Sequence, residues 1–70
     1  AGADGLDVVR ALIAEAPAWL TPGGLLAFEI GMGQYEAVRD LLKHHHYEHI
    51  RSVRDLAGID RVAVAQKPRS

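Results

Sequence analysis

Apolar residues recur through the first twenty positions at the spacing of an amphipathic helix. Asp4 is a good N-cap for this helix, with Asp7 as a weaker capping-box partner. Pro17 lacks the amide hydrogen that a helix needs, so the helix is predicted to end or kink near it. Trp19 is interpreted as a packing residue. The predicted apolar stripe consists of Leu6, Val9, Leu12, Ile13, Ala16 and Leu20.

A nearly continuous apolar run at residues 25–30 follows this helix. Pro22 and Gly23 before it suit the central positions of a type II turn. The run predicts a strand buried on both faces, as in parallel sheets. Gly31 and Gly33 then predict a flexible turn, and Gln34 or Tyr35 begins a second helix. Its apolar side is formed by Tyr35, Val38, Leu41, Leu42 and His45.

The last third of the chain predicts two strands joined as a hairpin. Residues 48–56 have strand character, with Ile50 and Val53 as apolar anchors. Residues 57–60 form a short connection that contains glycine. Residues 61–65 form the last strand, whose two alanines allow close approach of a covering helix. Residues 66–70 are polar and are expected to fray.

Composition narrows the class of protein. Seventy residues make at most one small domain, and a hydrophobic fraction of 49% is typical of a globular chain. A net charge of −1 gives no argument for a nucleic-acid or membrane partner. The absence of cysteine excludes disulfides and fits a cytosolic protein. Helix signals begin by residue 4 without an initiator Met, which indicates a segment of a longer chain.

Four histidines near the end of the second helix are the first candidate for chemistry. They are His44, His45, His46 and His49. Adjacent helical residues point about 100° apart, so three in a row do not converge on one metal ion. Only His45 and His49 have the spacing of one helical turn. We interpret the cluster as polar side chains at a helix C-terminus and predict no metal site.

Glu29 and Gln34 are the candidates for the edge of a substrate cleft. Glu29 lies at the carboxyl end of the predicted strand, where ligands bind in α/β sheets. It is either part of such an edge or a carboxylate held by a neighbouring backbone amide. The loop at 31–34 is not a dinucleotide fingerprint, and Gln34 is more simply solvated. Asp60 and Arg61 are interpreted as a structural pair that either tightens the hairpin or pairs with a helix end.

Four motifs together resemble the C-terminal part of the HemK-type protein-glutamine N-methyltransferases, over nearly the whole chain. The motifs are residues 4–10 (DGLDVVR), 20–24 (LTPGG), Glu29-Ile30-Gly31 with Gln34, and 55–62 (DLAGIDRV). The sequence departs from the family at residues 45–47, where a glycine before an aromatic residue is usual.

The resemblance implies an α/β fold, namely the C-terminal fragment of a Rossmann-like, seven-stranded methyltransferase. The element order would be helix-strand-helix-strand-strand, and the final strand would lie antiparallel between its two neighbours. Residues 1–70 would form the C-terminal part of one catalytic domain, with no complete second domain.

The implied reaction is S-adenosylmethionine-dependent methylation of a glutamine side-chain amide, in the Gly-Gly-Gln motif of peptide chain release factors. The amide nitrogen would attack the sulfonium methyl group in line, with positioning supplying much of the rate. Family members hold the cofactor on a Gly-rich loop after the first strand and an acidic residue on the second. An Asn-Pro-Pro-Tyr motif holds the amide. Since the chain has none of these, no catalytic or cofactor-binding residue is assigned, and the fragment alone is expected to be inactive.

Two alternatives stay open. The chain could be the corresponding segment of another class I methyltransferase, which acts on nucleic acid or a small molecule. It could also be a small interaction module that binds through the edge of its sheet. An Asn-Pro-Pro-Tyr motif just upstream in the parent gene would favour the release-factor family. If the chain is a segment of the enzyme, the strand at 25–30 lacks its preceding neighbour and exposes an edge. We then expect either self-association through that edge or a mobile first helix that folds over the gap.

Overall fold

The computed structural model describes residues 5–69, which form two helices and a three-stranded sheet. The elements are α1 (Asp7–Glu15), a 3-10 turn (Ala16–Ala18), β1 (Leu25–Glu29), α2 (Tyr35–His44), β2 (Glu48–Arg54) and β3 (Asp60–Gln66). This order confirms the α/β prediction of helix, strand, helix and a terminal hairpin. None of the described helices is long and apolar enough to cross a membrane.

Helix α1 begins later than the sequence predicted. The predicted cap, Asp4, lies outside the described residues. The N-cap is Leu6, because Gly5 has a φ of 71° and the helical backbone cannot continue through it. At the other end Pro17 acts as predicted, since α1 gives way to the 3-10 turn one residue before it.

The end of the 3-10 turn is capped from the far end of the chain. The ammonium group of Lys67 donates to the carbonyl oxygen of Pro17 at 2.5 Å and to that of Leu20 at 3.0 Å. The side-chain amide of Gln66 donates to the carbonyl oxygen of Gly23 at 2.7 Å. The expectation that the chain frays from residue 66 is therefore wrong for Gln66 and Lys67, because backbone and side chains hold both.

Strand β3 lies between β1 and β2 and is antiparallel to both. This confirms the predicted place of the final strand. The prediction that β1 is buried on both faces is wrong: Leu26 is buried, whereas its neighbours Leu25 and Ala27 are exposed. β1 is an edge strand, and no described element covers the face on which Leu25 and Ala27 lie.

Both helices pack onto the other face of the sheet and share one core. Ala63 and Ala65 of β3 are fully buried there, as expected for residues beneath covering helices. Val53, predicted as an anchor of β2, is 52% exposed, whereas Ile50 packs against the core. The core residues are Leu6, Ile13, Ala16, Leu26, Ile30, Val38, Leu42, Tyr47, Ala63 and Ala65.

Helix α2 ends in a left-handed turn. The amide of His46 donates to the carbonyl oxygen of Lys43, and that of Tyr47 donates to the carbonyl oxygen of Leu42, each at 3.0 Å. His46 has a φ of 65°. This pattern is a Schellman motif, in which glycine is the usual residue at the left-handed position. His46 precedes the aromatic Tyr47 and so stands where the family usually has glycine. The turn keeps its left-handed conformation with histidine at this position.

Candidate functional site

Glu29 ends β1 at an exposed position. Its register partner on β3 is Val62. No described residue forms a hydrogen bond or ion pair with its carboxylate, so the interpretation of Glu29 as a carboxylate held by a backbone amide finds no partner. The side chain lies in solvent at the carboxyl end of β1, which leaves the role at a cleft edge as a hypothesis.

The glycine loop after β1 is closed by Gln34. The side-chain oxygen of Gln34 accepts a hydrogen bond from the amide of Gly31 at 2.7 Å. The backbone of Gln34 closes the same loop, since its amide donates to the carbonyl oxygen of Gly31 at 3.1 Å. The sequence suggested that Gln34 is merely solvated, which is wrong because its side chain forms this hydrogen bond. It shapes a turn in which Gly33 has a φ of 79° and Met32 points outward.

The hairpin between β2 and β3 lies at the same end of the sheet as the glycine loop. The amide of Ile30 donates to the carbonyl oxygen of Arg61 at 2.9 Å, which joins the end of β1 to the start of β3. Because β3 is antiparallel to both neighbours, the end of β1, the start of β3 and the end of β2 meet there. The topology thus places Glu29, the loop at 31–34 and the hairpin loop at 55–59 together.

Asp55 organises the hairpin loop from within. One carboxylate oxygen accepts hydrogen bonds from the amides of Ala57 and Ile59 at 2.9 and 3.0 Å. The other oxygen accepts from Nε of Arg61 at 2.9 Å. These bonds, with that to Arg61 contributing most, lower the pKa of Asp55.

Asp60 holds the hairpin from the opposite strand. Its carboxylate accepts hydrogen bonds from the hydroxyl of Ser52 at 2.7 Å and from Nε of Arg54 at 3.0 Å. The bond to Ser52, followed by that to Arg54, lowers the pKa of Asp60. Asp60 and Arg61 each bond across the hairpin, which confirms that this pair of residues tightens it.

The four histidines do not assemble a metal centre. Among residues 5–69 no group of three or more His, Asp or Glu side chains is placed to hold a metal ion. His44 ends α2 and His45 caps it, and their rings meet edge to face at 5.3 Å between centroids. His49 has a φ of 52° at an irregularity in the pairing of β2 with β3. His44 and His45 lie at the end of a helix, as predicted. His49 lies instead at a β-bulge.

The described residues do not fit S-adenosylmethionine, the cofactor that the family resemblance implies. They enclose no pocket. The amide of Gly31, a donor that a glycine loop could offer to a ligand, already donates to Gln34. No step of a cofactor-dependent reaction is therefore assigned to these residues.

Two surface side chains were misjudged or missed from the sequence. Trp19, interpreted as a packing residue, is 61% exposed, because it follows the 3-10 turn on the side away from the core. Leu56 was not singled out, yet it is the most exposed large apolar side chain of the described part. Its position between Asp55 and Gly58, in the connection between two strands, was the available signal, since connecting loops run over the surface.

Comparison with known proteins gives close matches to one group of enzymes. The chain is 52% identical over 64 residues to a release factor glutamine methyltransferase of Gloeobacter violaceus, covering 90% of this chain and 22% of the relative. It is 42% identical over 69 residues to the enzyme of that name from Thermodesulfovibrio yellowstonii, covering 99% and 25%. For the Xylella fastidiosa enzyme the identity is 46% over 67 residues, covering 96% and 24%.

The chain thus spans about a quarter of the length of the curated relatives that it matches. The matched part is the C-terminal part of those proteins. No protein-family model matches the chain, and no solved structure gives a significant match. The resemblance stated from the sequence motifs is confirmed by these relatives.

Proposed function

We propose that this chain, a homologue of the C-terminal segment of the release factor glutamine methyltransferases, is the part of such an enzyme that completes its sheet and borders its substrate. The whole enzyme would transfer a methyl group from S-adenosylmethionine to the glutamine amide of the Gly-Gly-Gln motif of a peptide chain release factor. The observation that carries the proposal is the identity of 40–52% over nearly the whole chain to enzymes of that name.

The fold supports a bordering role rather than a catalytic one. The described residues contain no pocket, and in the glycine loop after β1 the amide of Gly31 already donates to Gln34. The groups that hold the cofactor and the amide would come from the other three quarters of the enzyme. This chain alone is expected to be inactive for that reason.

Glu29 and Gln34 contribute to the substrate side in different ways. Glu29 presents an unpaired carboxylate at the carboxyl end of β1, which suits a hydrogen-bond acceptor at the rim of a cleft. Gln34 acts indirectly, because its amide oxygen fixes the turn that follows Glu29. Since release factors act in translation, the whole enzyme would work in the cytoplasm.

A chimeric enzyme tests this proposal. The matching segment of the Gloeobacter violaceus protein is replaced by this chain, and transfer of labelled methyl groups to release factor is measured. The unmodified Gloeobacter protein and the chain alone serve as controls. Activity within about tenfold of the unmodified enzyme is expected for the chimera, with none above background for the chain alone. A folded chimera without activity, or an active chain alone, would contradict the proposal.

Another class I methyltransferase remains the alternative. A Pro-Gly-Gly turn before a strand occurs in many of these enzymes, so the turn at residues 22–24 does not separate the two. Sequence immediately upstream in the parent gene does: an Asn-Pro-Pro-Tyr motif supports glutamine methylation, and its absence supports the alternative.

A further inference from the structure

Two apolar side chains project from the end of the sheet at which Glu29 lies. Met32 is 69% exposed at the tip of the glycine loop, and Leu56 is fully exposed at the tip of the β2–β3 hairpin. The pairing of Ile30 with Arg61 holds these two loops at one end of the sheet. Exposed apolar side chains on neighbouring loops can contribute to a surface that binds another molecule.

Hydrogen bonds within both loops fix the backbone that carries these side chains. The carboxylate of Asp55 binds the amides of Ala57 and Ile59, which flank the turn behind Leu56. The amide of Gly58 donates to the backbone carbonyl oxygen of Asp55 at 3.0 Å. Gln34 closes the glycine loop beneath Met32 in the same manner. Because the loops are ordered before a partner arrives, less conformational entropy is lost on binding.

Two arginine–aspartate pairs lie in the hairpin that carries Leu56. Arg54 and Arg61 each use Nε to bind a carboxylate, Asp60 and Asp55 respectively. A guanidinium group carries five N–H donors, so the terminal nitrogens of both arginines can still donate outward. Both side chains are substantially exposed. An apolar side chain with exposed guanidinium donors in the same hairpin fits an apolar hollow rimmed by carboxylates or main-chain carbonyls.

We propose that Met32 and Leu56, flanked by Arg54 and Arg61, form the surface on which the enzyme docks its protein substrate. This inference rests on the proposed function, which makes that substrate a release factor. Small-molecule sites are concave, whereas this end of the sheet projects and the described part has no pocket. Nucleic acid would call for unpaired positive charge, yet each of these arginines has an aspartate partner. A folded protein surface is the partner that satisfies both observations.

Titration of the labelled 70-residue chain with release factor, followed by NMR, tests the surface directly. Amide shifts are expected to cluster at residues 31–34 and 55–59. Leu56→Ser is expected to weaken binding about tenfold, and Met32→Ser is expected to weaken it as well. Since Leu56 makes no core contact, its replacement leaves the fold intact, which the spectrum itself verifies. Val8→Ser is the matched control, because Val8 is 80% exposed on α1, outside these two loops.

Shifts that cluster elsewhere, an absence of shifts, or equal weakening by Val8→Ser would overturn the docking surface. The chimeric enzyme separates this failure from failure of the proposed function. In an active chimera, Leu56→Ser is expected to raise the KM for release factor about tenfold, with kcat and the KM for S-adenosylmethionine unchanged. An active chimera with an unaltered KM overturns the docking surface alone. An inactive chimera with shifts at both loops overturns only the activity.

Discussion

The phenolic oxygen of Tyr47 donates a hydrogen bond to the backbone carbonyl oxygen of Ile13 at 2.9 Å. In a regular helix that carbonyl would accept from the amide of residue 17, but residue 17 is proline and has no amide hydrogen. Tyr47 and Ile13 are both buried, and burial raises the pKa of the Tyr47 phenol, so the donor stays protonated at neutral pH. The bond replaces the one that Pro17 removes and joins α1 to the segment before β2.

Tyr47→Phe should therefore lower the free energy of unfolding by about 1–3 kcal/mol, because it leaves a buried carbonyl oxygen without a donor. Urea denaturation measures the change. Pro17→Ala is the matched background, since alanine restores an amide that can reach Ile13. Tyr47→Phe should cost less in that background, and an equal cost in both would contradict this role for the phenol.

The sequence predicted the end of the helix near Pro17 but not the hydrogen bond from Tyr47 to Ile13. Pro17 and the end of the helix followed from local chemistry. The donor that satisfies Ile13 lies 34 residues away, and nothing in the local pattern around Tyr47 indicates that pairing. Long-range replacements of this kind depend on how α1 and α2 pack together.

His46→Gly should raise the free energy of unfolding by about 0.5–1 kcal/mol. His46 has a φ of 65° at an exposed position, where a side chain is strained and glycine is not. His44→Gly is the control, because His44 has helical geometry at the end of α2. There glycine should be destabilising by about 0.4 kcal/mol. A loss of stability in both variants would contradict the strain at His46.

Acid should destabilise the hairpin. The folded-state pKa values of Asp55 and Asp60 are lowered by their hydrogen bonds to Arg61 and to Ser52 and Arg54. The stability they contribute is present above the unfolded value of about 3.9 and is lost as pH falls through the folded-state values. Urea midpoints measured from pH 6 downward should therefore decline. An Asp55→Asn, Asp60→Asn double variant should decline less, and an identical decline would contradict the contribution.

The open edge of β1 should be visible in amide exchange. The amide of Ile30 donates to Arg61 of β3, and the carbonyl oxygen of Gly24 accepts from Lys67 just after β3. The alternating amides of Leu26 and Phe28 therefore face β3, whereas that of Ala27 faces the edge. In dilute solution Leu26 and Phe28 should exchange slowly and Ala27 rapidly. Sedimentation over a concentration series should show self-association, with protection of Ala27 growing alongside it. A strictly monomeric chain with a protected Ala27 would instead support the autonomous interaction module.

Periodicity and turn chemistry predicted the order of the elements, the turn at Pro22 and Gly23, and the start of α2. They did not predict which side of β1 would be covered, because an apolar run reads the same whether one face or both are buried. Leu25 and Ala27 are exposed since no described element lies against them. The sequence likewise placed Glu29 and Gln34 at the end of one strand. It did not predict that the β2–β3 hairpin lies beside them, because that position depends on the antiparallel pairing of β1 with β3.

Mapping the methyl group by mass spectrometry tests the proposed methylation of a release-factor glutamine. Release factor is incubated with the chimeric enzyme and S-adenosylmethionine, digested, and sequenced by fragmentation. We expect a single added methyl group on the side chain of the glutamine in the Gly-Gly-Gln motif, absent when the chain is supplied alone. An unmodified release factor beside a methylated nucleic acid or small molecule, or a methyl group on another residue, would contradict it.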